Sequence, residues 1–260
     1  MRMNLHLNAY LHASLQANYK SEAQKIRVLT ETWLQENAYC PGCGHQPIGK
    51  FANNRPVADF FCPHCHEEYE LKSGNRETVA SSVADGAYHT MIKRILSDAN
   101  PNFLFMAYRK SDYSVRQLML VPKHFITPAM ITPRRKGIAG RPGYIMCSMN
   151  MSALPASGKI MLIDKAKAIE PENVLKKWQA HLFLRGQKML RKGWLLAIMK
   201  CLDELPNTFT LTQMYAFENR LKMQFPQNRH IREKIRQQLQ ILRDQGLLAF
   251  SGNGHYAKPN

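Results

Sequence analysis

Apolar positions along the chain change period, and the period predicts the elements. In residues 20–36 (KSEAQKIRVLTETWLQE), Ile26, Leu29, Trp33 and Leu34 recur at helical spacing, with Ser21 as N-cap. Glu31 lies off that stripe. It reads either as part of a solvated face or as an acid carried toward a site on a neighbouring sheet. Residues 59–72 (DFFCPHCHEEYELK) alternate instead, which predicts a β-hairpin with Asp59 on one strand and Glu70 and Lys72 on the next. Val79, Val83, Ala87, Met91 and Ile95 predict a helix over 77–96, and strands are expected at 103–108, 117–121 and 160–164. Residues Ser81, Ser82, Lys93 and Arg94 on that helix read equally as phosphate contacts or a solvated face. The mixture is an α/β unit.

From about residue 186 helical patterns dominate, at 194–202, 210–223 and 228–246, before a strand at 247–250 and the turn Ser-Gly-Asn-Gly. Three helices and a wing give the order of an α+β winged-helix domain, so 1–185 and 186–260 are taken as separate domains. Thr210 and Gln213 have capping-box spacing. In the last helix Ile231, Ile235, Leu239 and Leu242 form the buried stripe. Arg229, His230, Glu233, Arg236, Gln237 and Gln240 are left as candidates for reading DNA bases. A small protein-interaction domain with a charged face is the rival reading.

Charge narrows the partners. Lys and Arg number 36 against 19 Asp and Glu, a net charge of +17, which favours a polyanion such as double-stranded DNA. No apolar run approaches the ~20 residues a membrane span needs, and the N-terminus has no signal-like apolar block. A soluble, cytoplasmic protein with no obligate protein partner is expected. The basic segment 127–145 (TPAMITPRRKGIAGRPGYI) adds Arg134, Arg135, Lys136, Arg141 and Tyr144 as DNA-contact candidates.

Four of the six cysteines fall in two short pairs, Cys40–Cys43 and Cys62–Cys65, eighteen residues apart. This spacing predicts a closed, structural Zn²⁺ site, because four soft thiolates complete a tetrahedron. His45, His64 and His66 are then not needed as ligands. Cys147 and Cys201 are read as buried free thiols. The second pair interrupts the hairpin, so its ion would clip together the strands that carry Asp59, Glu70 and Lys72. Two carboxylates brought close repel, and a divalent cation such as Mg²⁺ relieves that repulsion. With a lysine alongside, the arrangement suits phosphodiester hydrolysis. The pattern departs from the usual one in that Pro56 stands three residues before Asp59 rather than directly before it.

Four blocks, TETWLQENAYCPGCG, NNRPVADFFCPHCHEEYELKS, DGAYHTMIKRI and HIREKIRQQLQILRD, resemble the family of the methyl-directed restriction endonuclease DpnI and the Dam-replacing proteins. The resemblance runs nearly end to end. It implies a PD-(D/E)xK restriction-endonuclease-like domain followed by a winged helix. It also implies Mg²⁺-dependent cleavage of double-stranded DNA at GATC sites carrying N6-methyladenine. It puts the metal-site acids at Asp59 and Glu70, the catalytic lysine at Lys72 and the zinc ligands at Cys40, Cys43, Cys62 and Cys65. Where the family carries a tryptophan after the basic segment, this chain has Tyr144. A zinc-containing winged-helix regulator with an inactive nuclease fold is the alternative.

Overall fold

The computed structural model describes residues 3–12, 21–52, 58–97, 99–134, 140–141 and 143–259. The chain divides into two compact units, Met1–Met151 with Gly158–Gln179, and Ser152–Ser157 with Ala180–Asn260. Among the described residues no helix is long and apolar enough to cross a membrane.

In the first unit, helix α1 (Glu22–Asn37) is followed by β1 (Gly49–Lys50), β2 (Phe60–Phe61), β3 (Glu68–Asn75) and β4 (Ser82–Ala87), then α2 (Tyr88–Leu96). Strands β5 (Asn102–Tyr108), β6 (Val115–Val121), β7 (Ile131–Pro133), β8 (Met146–Asn150), β9 (Ile160–Asp164) and β10 (Lys167–Ala168) come next, closed by α3 (Pro171–Gln179). The main sheet has the order β1-β2-β3-β5-β6-β9-β10. Each neighbouring pair is antiparallel except β3 and β5, which run parallel from Tyr69↔Asn102 to Asn75↔Tyr108. A parallel pair needs a crossover, and here it consists of β4 and α2. Strand β4 does not join the main sheet; it pairs with β8 in a second sheet of order β4-β8-β7.

Every residue of β5, NFLFMAY, is buried. A strand covered on both faces reads as a continuous apolar run. The polar residue that opens it, Asn102, has no exposed surface and is fully bonded. Its Nδ2 donates to Glu67 Oε2 at 2.8 Å and to the Glu68 carbonyl at 2.9 Å, and its Oδ1 accepts from the Lys123 amide at 3.0 Å. Asn102 therefore sets the register of β5 against the strand that carries Glu70 and Lys72. Helix α1 covers the same strand, with Thr30 Oγ1 and Ser73 Oγ 3.3 Å apart.

Several expectations change. Residues 82–87 of the expected 77–96 helix form a strand. Positions four apart share a face in a strand as well as in a helix, so the Val79, Val83, Ala87 recurrence does not discriminate. The ladder to β8 and the β-branched Val83 favour extension. Ser21 stands at the N-cap of α1 but its side chain makes no cap hydrogen bond. Segment 127–145 is more than a loop, since β7 pairs with β8 and Arg134 N donates to the Met146 carbonyl at 2.8 Å.

In the second unit, α4 (Met189–Leu202) and β11 (Thr208–Thr210) precede α5 (Leu211–Tyr215), α6 (Glu218–Gln224) and α7 (Ile231–Asp244), and β12 (Ala249–Gly252) and β13 (His255–Ala257) end the chain. The expected 210–223 helix is two helices, because Ala216 and Phe217 tighten into i→i−3 turns on Gln213 and Met214. The capping box forms, with Gln213 N donating to Thr210 Oγ1 and Thr210 N donating to Gln213 Oε1. Strand β11, absent from the sequence reading, pairs with β13 to make a three-stranded sheet. Trp194 of α4 stacks on Phe225 with centroids 3.9 Å apart, and Ile231, Ile235, Leu239 and Leu242 of α7 are buried.

Replacing Asn102 by Ala removes three bonded groups at once and strands the Lys123 amide and the Glu68 carbonyl. A loss of about 2–3 kcal/mol in unfolding free energy is expected, read from urea denaturation. A change below the error of that measurement would remove Asn102 as the register pin.

Candidate functional site

Two turns of one design bring the four cysteines together. In the first, Cys40 N donates to the His45 carbonyl and Gly44 N to the Cys40 carbonyl; in the second, Cys62 N donates to Glu67 and His66 N to Cys62. The residue after each second cysteine is left-handed, Gly44 at φ +80° and His66 at φ +60°. Glycine takes this conformation freely and histidine at some cost. The sulfur pairs Cys40–Cys65 and Cys43–Cys62 lie 3.5 and 3.6 Å apart, and all four sulfurs are within 4.8 Å of one another. A tetrahedral Zn²⁺ with Zn–S bonds of about 2.3 Å requires S···S separations of about 3.8 Å, so the donor set fits that ion. None of the four is in a disulfide. Burial pushes the Cys40 thiol up to about 11 and moves Cys65 upward too. Cys62 is shifted the other way, burial being outweighed by its hydrogen bonds, and four thiolates held this close repel one another until a cation sits between them. Among the described residues this is the group of metal-type ligands that clusters so tightly.

The second cysteine pair lies in the loop of the β2–β3 hairpin, paired at Phe60↔Tyr69 and Phe61↔Glu68; the first follows the end of α1. The cluster thus joins the helix to the hairpin. Between them opens a cleft of about 390 Å³ lined by Arg27, Glu31, Lys50, Asp59, Glu70 and Lys72, among others. All four residues singled out from the sequence, Asp59, Glu70, Lys72 and Glu31, face this one space. Glu31 is not on a solvated face: it is buried, bonded to Arg27 Nε and 2.8 Å from Lys50 Nζ.

Asp59 is held at its backbone by Tyr69 and at its side chain by the Leu71 amide, which donates to Oδ2 at 2.9 Å. Its Oδ1 is 3.8 Å from Arg27 Nη2. Burial raises its pKa; the Leu71 amide opposes this, while the Glu31 carboxylate adds to it. Glu70 is raised by burial as well, against the pull of Lys72. Two carboxyl groups reluctant to ionise without a cation fit a hard divalent ion. Mg²⁺ commonly takes only one or two protein carboxylates and fills its shell with water and phosphate oxygens.

Glu70 and Lys72, two apart on β3, point the same way, with Lys72 Nζ 2.6 Å from Glu70 Oε1. The same ammonium is 2.6 Å from Asp85 Oδ1. Burial works to lower the Lys72 pKa, and the two carboxylates more than reverse it. Asp85, on β4, and Arg94, on α2 and 3.4 Å from Glu70 Oε2, escaped the sequence reading as parts of this site. Asp85 carries no pattern, and Arg94 reads equally as a phosphate contact or part of a solvated face, not as a partner of Glu70.

Of the basic segment, Arg135 and Lys136 lie outside the described residues. Arg134 and Arg141 are exposed. Arg141 sits over the Tyr144 ring, 5.9 Å from its centroid. Gly86 brings this segment near Asp85, since a Cβ there would stand 3.8 Å from Tyr144 Oη. In the second unit, Glu233, Arg236, Gln237 and Gln240 are exposed on α7, and Arg229 and His230, exposed as well, immediately precede it. Three are already engaged: Arg236 donates to Tyr215 Oη at 3.0 Å, Gln237 Oε1 accepts from Lys234 Nζ at 2.7 Å, and Glu233 Oε1 lies 3.7 Å from Arg236 Nη2.

Comparison with known families gives two matches that together span nearly the whole chain. The model of the Dam-replacing family matches residues 3–187, and that of the Dam-replacing HTH domain matches residues 190–258.

The purified protein is expected to carry about one zinc per chain, by atomic absorption. Chelation or Cys43→Ser should lower the thermal midpoint; an unchanged midpoint in metal-free protein would reject a structural ion. Asp59 generates a second expectation. Its folded pKa is raised, so its stabilising contribution is complete below the unfolded pKa and is lost as pH rises through the folded one. At neutral pH without divalent cations, Asp59→Asn should therefore be more stable than wild type, by about 0.5–2 kcal/mol. The gain should vanish at acid pH, and calorimetry at two pH values reads both.

Proposed function

The chain belongs to the Dam-replacing family, and on that premise we propose that it is a type II methyl-directed restriction endonuclease. Its substrate is double-stranded DNA at GATC sites carrying N6-methyladenine, and its first unit is a PD-(D/E)xK nuclease domain. The observation that supports this reading most directly is the convergence of Asp59, Glu70 and Lys72 on one cleft, with Glu31 entering from α1.

Asp59 and Glu70 are the residues that would hold Mg²⁺. When bound, such an ion polarises a phosphodiester oxygen and makes a coordinated water more acidic. Lys72, kept charged by its neighbours, offers positive charge where negative charge develops on the phosphate. Arg27 extends that positive rim beside Asp59. Glu31, its charge balanced by Arg27 and Lys50, is an auxiliary acid that enters the cleft from α1.

The second unit is a helix-turn-helix domain of winged-helix type, whose α7 presents its polar face to the major groove. Arg134, Arg141 and Tyr144 of the first unit are further DNA contacts. A methyl group is worth only about 0.8 kcal/mol when buried, roughly a fourfold preference. Discrimination built from two methyls, tested by both units, multiplies that factor.

Digestion of one plasmid prepared from adenine-methylating and non-methylating hosts tests the proposal. With Mg²⁺, only the methylated preparation should be cut, and Asp59→Ala should abolish cutting while Ca²⁺-supported DNA binding persists. Binding without metal-dependent cleavage of either preparation would instead identify a zinc-containing DNA-binding regulator.

A further inference from the structure

Beside the cleft, Asp85 is the feature that the proposed chemistry leaves unexplained. Its side chain is 6% exposed, and Oδ1 carries both the Lys72 ammonium at 2.6 Å and the Gly86 amide at 2.7 Å. Its Oδ2 is buried with no hydrogen-bond partner among the described residues. A half-satisfied buried carboxylate is costly to keep, and an ion pair at such a site adds little stability over an apolar replacement. Stability alone does not account for it.

The geometry does. An ammonium has three protons to donate, and Glu70 and Asp85 take two of those of Lys72. Glu70 is also the acid that a divalent cation would claim, and a carboxylate oxygen drawn to a cation is lost to the lysine. Asp85 comes from a different strand, β4, and is fixed by its own backbone through the Gly86 amide. It stays where it is when Glu70 turns away. We infer that Asp85 is a positioning residue that keeps the Lys72 ammonium in the cleft once Glu70 is committed to a divalent ion. The inference rests on the nuclease reading for what Lys72 then does, though not for the contact itself.

Two measurements on the full-length protein test it. Asp85→Asn keeps the shape and an acceptor for the Gly86 amide but withdraws the charge; Asp85→Ser gives the same comparison if the amide variant does not fold. In cleavage assays kcat should fall about 100-fold, the scale of a reacting group displaced by an ångström, with KM and Ca²⁺-supported DNA binding within about threefold of wild type. In parallel, brief acetic anhydride treatment followed by mass spectrometry reports the reactivity of Lys72. In Ca²⁺-loaded wild type Lys72 should stay protected, and in Ca²⁺-loaded Asp85→Asn its labelling should rise several-fold. Unchanged labelling in the variant, or a kcat within about threefold of wild type, overturns the inference, as does a loss shared equally by kcat and DNA binding. Increased labelling in a protein whose wild type cuts no DNA upholds the positioning role and overturns the nuclease reading alone.

Discussion

Four sulfurs drawn within one ion's reach are the constraint on which the rest of the first unit depends. Neither of the elements they join is strong alone. The β2 strand is two residues long, and α1 is amphipathic with acidic and basic residues on the side it turns to the cleft. Cross-linking the exit of the helix to the loop of the hairpin fixes the distance between them, and that distance is the width of the cleft. Metal affinity becomes folding energy in such a site. Here it is placed next to the residues whose spacing matters most.

Inside the cleft the charges are arranged as a chain rather than as a pair. Arg94 touches Glu70, Glu70 touches Lys72, and Lys72 touches Asp85; across the space, Lys50 and Arg27 bracket Glu31. Each acid is neutralised by a cation on another element. The ionised groups are tolerated at this depth because none stands alone. The same chain explains why Glu70 and Asp59 titrate upward despite nearby cations: desolvation exceeds what the partners return.

What was legible in the sequence follows from how local each signal is. The four-cysteine cluster was legible because each knuckle is complete within six residues. Glu70 and Lys72 were legible because alternation on a single strand decides which side chains share a face. The buried stripe and polar face of α7 were readable for the same reason. Glu31 was ambiguous because α1 is covered on a second side by the hairpin, which a single-stripe reading cannot foresee. Asp85 gave no signal because its role comes from the crossover, where residues 82–87 repeat at a spacing that strand and helix share, and Arg94 was legible as a phosphate-contact candidate rather than as the partner of Glu70. Strand β8 (MCSMN), with no β-branched residue, gave no warning that it would pair with both β4 and β7.

Among the described residues, the crossover between β3 and β5 is the only parallel step of the main sheet, and it delivers two members of the charge chain, Asp85 from β4 and Arg94 from α2. A nascent chain that has paired β2 with β3 already holds Asp59, Glu70 and Lys72 close together. The charge chain is not complete until residues 76–101 have looped out and returned, and β4 has no strand to pair with until β8 is made. Non-local pairing of this kind is slow compared with hairpin closure. The charge chain around Lys72 is thus closed by non-local pairing, whereas the hairpin that carries Asp59, Glu70 and Lys72 is local.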